Sequence, residues 1–356
     1  MKRWQTYFYQ EIFKVFFFFL FGFFLLYSMI EYATHMDDFF KNDSLEIRGV
    51  LLYYLNQFLK RLDFLLPMAF LLSAIKVLTT LNIRNEWTVL QVAGLSTRRL
   101  LMPFFVVAFL CTSFLWANFE YFFPSAMQNI DEFRISNFHG SHLAKRRELI
   151  HLIPLKDSSK LLYQSYIPEK HLLFDVLWIK SPHEIWRMKY LNADPSKPTA
   201  YYVDHLERSP SGILEKKASY NSISLTELKW HPRMARKGLV PFDQKRISDL
   251  LLSLKNRASP YEIPKIKTAF AFKVGIPLLA PMILLAIAPV CLTFSRHRSL
   301  FLIYALGLFG LFAFYMLLDS LTTLSDHAII SHLLAVFLPL SLVFFGFGYR
   351  FWTKTS

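Results

Sequence analysis

The sequence predicts a polytopic α-helical membrane protein, with six spans in two groups of three and an all-β domain inserted between the groups. Two observations carry that prediction. Of 356 residues, 54% are hydrophobic and 37 are Phe, with a mean hydropathy of +0.30, which is too apolar for an ordinary soluble chain. The apolar residues are also clustered: long runs lie toward both ends, while the middle reads as mixed polar sequence.

The first apolar run is Ile12–Ala33, preceded by Lys2 and Arg3 and interrupted only by Lys14. It is too long for the core of a signal peptide. The segment Glu31-Tyr32-Ala33-Thr34-His35 offers no small-residue cleavage pattern. An uncleaved span is expected. The second run, Leu62–Leu81, has a helical lead-in with Leu51, Leu52, Leu55, Phe58 and Leu59 on one face. The third is Leu100–Phe123. After the insertion the runs resume at Ala269–Phe294, Leu300–Leu318 and Ser331–Tyr349. Each has about 20 residues, enough to cross a hydrocarbon layer ~30 Å thick. The expected division is 1–123 for spans one to three, 124–267 for the insertion and 268–356 for spans four to six.

Lys and Arg in the short loops orient the chain. With a cytoplasmic N-terminus, the inner set is Lys2, Arg3, Arg84, Arg98, Arg99, Arg296, Arg298, Arg350 and Lys354. The outer set is only Lys41, Arg48, Lys60 and Arg61. Both termini are therefore expected inside and the inserted domain outside.

Within roughly 135–265, short runs rich in β-branched and aromatic residues alternate with turn signals. The expected strands are Leu149–Leu155, Leu161–Ile167, Leu172–Ile179, Ile185–Leu191, Ala200–Leu206, Ile213–Tyr220 and Ile223–Leu228. Asn192-Ala193-Asp194-Pro195 and Ser209-Pro210-Ser211-Gly212 read as turns. So many short strands in a small domain point to a sandwich or an open barrel. Trp178 and Tyr202 are read as inward positions. Residues 124–267 hold 24 Lys/Arg against 15 Asp/Glu, a surface that suits an acidic ligand or is simply well solvated.

Several chemistries find no support. Cys111 and Cys291 both fall in apolar runs, the eleven His are scattered, and no zinc-type ligand spacing occurs, so neither a structural disulfide nor a metal or other cofactor is expected. No G-x-x-x-x-G-K-[ST] motif is present, so the chain supplies no nucleotide-binding loop of its own. No catalytic residue can be named. Ser141-His142 and Asp204-His205 are chain neighbours in strand-like sequence, where adjacent side chains point to opposite faces. Lys76, Lys273 and Asp319 lie toward the ends of expected spans, where charged side chains reach the interface.

The loop Asn82–Leu100, NIRNEWTVLQVAGLSTRRL, is the most informative short segment. Trp87, Leu90 and Leu95 with Val89, Val92 and Ala93 make a short amphipathic helix, about 84–97, that starts near Glu86 and ends near Gly94. A short surface helix between two spans is either a docking element for a cytoplasmic partner or a membrane-surface helix with no partner.

Pro67-Met68-Ala69-Phe70-Leu71-Leu72, followed by Asn85-Glu86-Trp87-Thr88-Val89-Leu90-Gln91-Val92-Ala93-Gly94-Leu95-Ser96 and Arg99-Leu100, resembles the LptF/LptG (YjgP/YjgQ) family of permeases. The resemblance extends over nearly the whole chain, including the three-plus-three layout, Pro277 and Pro289 in span four, and Pro339 in span six. It implies the membrane part of an ABC transporter that draws lipopolysaccharide from the inner membrane. Two copies of an LptB-like ATP-binding cassette subunit, a paralogous permease, a single-span LptC-like adaptor and a periplasmic bridge protein are the implied partners. No nucleic acid is involved. The inserted domain is implied to be jellyroll-like. Glu86, flanked by Arg84 and Arg98 and set by Trp87 and Gly94, is implied to couple to the ATPase subunit. Lys60, Arg61, Lys41 and Arg48 are the lipid-headgroup candidates, although Lys60 and Arg61 also read as interfacial anchors. Lys60 inclines the reading toward the LptG type. The outer end of span one departs from the family, with Glu31, His35, Asp37 and Asp38 where basic residues are common. A competing reading is a non-transporting membrane scaffold whose β-domain binds another protein.

Overall fold

A computed structural model describes residues 3–36, 47–137, 151–155, 159–167, 172–181, 183–192, 198–209, 214–225, 228, 241–255, 262–293 and 299–355. The chain divides into two compact units: Arg134–Pro241, and Met1–Phe133 with Phe242–Ser356. The contact boundary thus lies inside the expected 124–267. The helix after span three and the segment returning from the sheet pack on the helical unit.

In the helical unit, α1 is Arg3–Thr34, α2 Ile47–Ile83, α3 Glu86–Val92 and α4 Thr97–Ala117. A π-helical segment, Asn118–Phe122, joins α4 to α5, Phe123–Asn137. After the sheet, α6 is Ile247–Lys255, α7 Ile263–Gly275, α8 Leu279–Leu292, α9 Leu300–Asp326 and α10 His332–Thr355. Among the described residues, six helices or continuous helical stretches are long and apolar enough to cross a membrane, and all six expected runs fall on them. One apolar core joins them, with Phe70, Ala74, Leu78, Phe104, Ala108, Leu284 and Ala288 fully enclosed.

Inside a bilayer no water satisfies a freed backbone group, so each helix break needs a local partner. Pro277, in the 3-10 turn Ile276–Leu278 between α7 and α8, lacks an N–H, and its carbonyl accepts from the Thr112 hydroxyl of α4 at 2.8 Å. The last carbonyls of α8, Cys291 and Leu292, accept from the Asn82 side chain at 3.1 and 3.2 Å. Gly275 lets α7 approach α10: a Cβ there would lie 2.7 Å from Val336 Cγ1.

Lys273 does not reach out to the interface as expected. It is 2% exposed, donates to the Lys245 carbonyl, and stands 5.6 and 5.0 Å from the Phe119 and Phe123 ring centres. Opposite it, the Glu120 carboxylate accepts from the Ser248 amide (3.2 Å) and hydroxyl (2.5 Å) at the start of α6. The segment returning from the sheet is thereby tied to spans three and four, which gives the ammonium a carbonyl and two ring faces and removes any need to reach water.

The second unit is one antiparallel sheet in the order β1–β6: His151–Pro154, Lys160–Ile167, Leu172–Ser181, Glu184–Asn192, Thr199–Arg208 and Leu214–Ser224. The all-β expectation holds, but its details change. Consecutive strands pair in chain order, so the described strands form one meander rather than the two facing sheets of a jellyroll or sandwich. The sixth and seventh expected strands are one: β6 runs through Ile223, and Leu225 and Leu228 then fold under the sheet. Leu161, Tyr163, Leu173, Val176, Trp178, Met188, Leu191, Ala200 and Val203 make the buried face. Trp178 is inward, as expected, and donates to the Ser159 hydroxyl at 3.0 Å. Tyr202 is not: it is 64% exposed, with its backbone at φ +52°, which turns its side chain away from the core.

Candidate functional site

The connector between α2 and α4 is built on two left-handed residues. Asn85, at φ 59°, ends α2 and starts α3, and Gly94, at φ +87°, ends α3 and turns the chain toward α4. Asn tolerates that backbone region and Gly enters it freely. Seven helical residues are too few to hold themselves in water, so α3 depends on tertiary packing.

Trp87 supplies that packing. It is 3% exposed and stacks on Phe8 of α1 with 6.4 Å between ring centres, and Phe8 in turn meets Phe104 of α4 edge-on at 6.3 Å. Leu90 and Leu95 pack on the same core. The opposite face is open, with Val89 64% and Val92 84% exposed. Such paired valines at i and i+3 on a solvent-side helix have no role in the chain's own core.

Glu86 lies in the first turn, within hydrogen-bonding reach of the Tyr7 hydroxyl and 3.7 Å from Arg84. The Arg84 pair is exposed and contributes ~0–1 kcal/mol, leaving the carboxylate able to exchange partners. Arg98 faces elsewhere: its guanidinium lies 4.1 Å from the Trp352 ring centre on α10. The structure therefore groups Arg84, Glu86, Trp87 and Gly94 on one connector, with Arg98 at its far side on α10.

The headgroup candidates lie along α2. Arg48 is exposed in its first turn, Lys60 is half-buried, and Arg61 is exposed with its guanidinium 5.2 Å from the Tyr27 ring centre of α1. Lys41, like Asp37 and Asp38, lies outside the described residues.

The same stretch holds a polar cluster that reading along the sequence did not assemble. Glu31 of α1 is buried and accepts from the Tyr53 hydroxyl and from the Gln57 amide at 3.0 Å. Gln57 also reaches the Tyr53 oxygen at 2.8 Å, and its carbonyl accepts from Tyr27 at 3.2 Å. Glu31 is thus a buried, hydrogen-bonded group joining α1 to α2, rather than an acidic rim where headgroup-binding cations would stand. A carboxylate at the end of an apolar run was the available signal. Its partners, 22 and 26 residues further along, were not visible without the helix pairing.

Among the described residues no group of three or more His, Cys, Asp or Glu is placed to hold a metal ion. Cys111 and Cys291 are free and buried.

Six apolar spans among the described residues, a short anchored helix with an open apolar face between spans two and three, and a sheet inserted between spans three and four define a polytopic membrane protein. The chain matches the family "Lipopolysaccharide export system permease LptF/LptG" over residues 6–353 and belongs to it. It is a multi-pass lipopolysaccharide export permease, the transmembrane component of its transporter. In this family ATP hydrolysis resides on the LptB subunit rather than on the permease. No curated protein matches the chain.

Proposed function

We propose that this permease sits in the inner membrane with both termini cytoplasmic and the sheet unit periplasmic, and couples to an LptB-like subunit through α3. Two such ATPase subunits and a paralogous permease complete the transporter. A single-span adaptor and a periplasmic bridge receive the lipid. The excess of Lys and Arg in the loops on the α3 side supports the orientation. The division of α3 into two faces carries the coupling reading: Trp87 is locked into the core, while Val89 and Val92 are bare beside Glu86. A partner groove that takes the valines and hydrogen-bonds the carboxylate would pull on α3. Trp87 would pass that displacement through Phe8 and Phe104 to spans one and three, and the direct chain links to α2 and α4 carry it to spans two and three.

Lys60 and Arg61, near the outer end of span two, serve the phosphorylated headgroup of the lipid in this reading, with Arg48 and Lys41 further out. Lys60 also favours the LptG type. The buried face of the sheet, lined by aliphatic and aromatic residues, provides shelter for acyl chains on their way out.

Glu86→Ala in the reconstituted transporter tests the reading. A charge-assisted hydrogen bond contributes ~1.5–3 kcal/mol, so lipopolysaccharide release per ATP should fall at least about tenfold, with the permease still folded. Unchanged release would sink the coupling role. Purification with no ATPase subunit and no second permease would overturn the partner assignments.

A further inference from the structure

Three neighbouring strands break the two-residue alternation of a sheet at the same level. Buried positions step from Leu173 to Val176 on β3, from Met188 to Leu191 on β4, and from Ala200 to Val203 on β5. A regular strand returns to one face every second residue, so each strand carries one extra residue there. The pairing stays in register on both sides: Phe174 faces Tyr190 and Val176 faces Met188, while Tyr190 faces Tyr201 and Met188 faces Val203. The registers skip Gln164, Asp175, Lys189, Tyr202 and Asn221 together, in a row across the sheet. Asp175 and Tyr202 have φ of 46° and 52°, a region that favours glycine. A tyrosine held there at 64% exposure is not kept for the core.

The row opens a cavity of about 340 Å³ on the face away from the core. Phe174 and Tyr202 give it aromatic walls. Asp175 and Arg187 pair across it at 3.6 Å, and Asp204 is held by Lys216 and the Ser219 hydroxyl, both at 2.7 Å. Lys189 extends over the Tyr202 ring at 5.8 Å. The pocket residues carry two cations and two carboxylates, so the lining selects no net charge. It presents forked donors and forked acceptors between aromatic faces. A sugar ring matches this: its hydroxyls both donate and accept, and its C–H face lies flat on an aromatic ring. The volume suits a small ligand.

We propose that this outward cavity is a saccharide-binding site for one or two neutral sugar rings. The rings come either from the glycan of the exported lipid or from a free oligosaccharide; the first source rests on the export reading and the second does not.

The test uses the full chain in nanodiscs free of glycolipid. Saturation-transfer NMR is recorded with lipid-free core oligosaccharide cleaved from lipopolysaccharide, and separately with maltotriose. Transfer from the core oligosaccharide alone assigns the glycan of the exported lipid, and transfer from maltotriose assigns a free saccharide. Tyr202→Gly removes the ring and relieves the positive φ, so it should weaken binding at least about tenfold while the melting temperature holds or rises. Asp204→Asn keeps the shape and should weaken binding as well. No transfer from either saccharide, or transfer equal in both variants, overturns the proposal. A photo-crosslinker at position 202 that captures only a protein also overturns it. Lipid export by the assembled transporter is scored separately, so failure of the coupling reading leaves this result interpretable.

Discussion

The second and fifth spans are both long and apolar, yet they occupy opposite environments. Within the hydrophobic window of α2, 83% of residues are buried, against 11% in that of α9. The fourth span (α7–α8) resembles α2, with 61% buried, while α1 and α10 resemble α9, with 17% and 22%. Lipid tails are as apolar as Leu, so no hydrophobic force decides which helix goes inside. Shape does. The inner helices carry small residues at crossings, such as Ala69, Ala74, Ala280 and Ala288, all fully enclosed, and the Asn82 amide of α2 crosses to the last carbonyls of α8. The outer helices present large side chains, among them Phe18, Phe301, Phe309 and Phe345. Inner positions therefore answer to packing within this chain, and outer positions to lipid and to other subunits.

Glycines give the sharpest way to break that comparison. Gly275→Leu drives a side chain into Val336 and Leu340, and overpacking of this kind costs ~1–3 kcal/mol or more. Detergent-solubilised protein should lose several degrees of melting temperature, or fail to accumulate. Gly310→Leu on α9 meets nothing within 4 Å, and its melting temperature should match the parent.

Phenylalanines give a smaller contrast. Phe70→Ala in α2 leaves a cavity, at a cost below the ~3–5 kcal/mol of soluble cores because the transfer from water is missing in lipid. Phe309→Ala, at a side chain 73% exposed, should leave stability unchanged and show an effect only when the transporter is assembled. Thermal unfolding of the two variants in the same detergent decides this; equal losses would contradict the division into inner and outer spans.

The smallest expected effect lies in the sheet. Lys216 and Ser219 hold the Asp204 carboxyl below its ordinary range, and Lys217 does the same for Glu207. A carboxyl whose folded pKa is depressed adds stability above its unfolded pKa and loses it as pH falls through the folded value. Both groups are exposed, so acidification below about pH 4 should lower the melting temperature only slightly, and Asp204→Asn should flatten that dependence. A parent curve that rises on acidification would reverse the sign assigned here.

Much of this architecture was legible in the chain. Twenty-residue apolar runs can do little but span, because only a helix satisfies its own backbone in lipid. The six strands fell on their β-branched and aromatic runs, apart from β6, where two expected strands merged because no turn separates Tyr220 from Ile223. The α3 connector was readable from Glu86 and Gly94 near its two ends, whereas the left-handed backbone of Asn85 was not. The resemblance set Arg98 beside Glu86, and the structure lays its guanidinium over Trp352, more than 250 residues away.

The sequence by itself determined the number of spans, the β character of the insertion and the position of the connecting helix, because all three follow from periodicity, length and turn chemistry over neighbouring residues. Tertiary structure alone decided which spans lie inside, that Lys273 is enclosed by Phe119, Phe123 and the Lys245 carbonyl, that Glu31 meets Tyr53 and Gln57, and that Tyr202 points outward. Each of these depends on residues that no local pattern relates, brought together by helix crossings or by an extra residue shared in register across three strands.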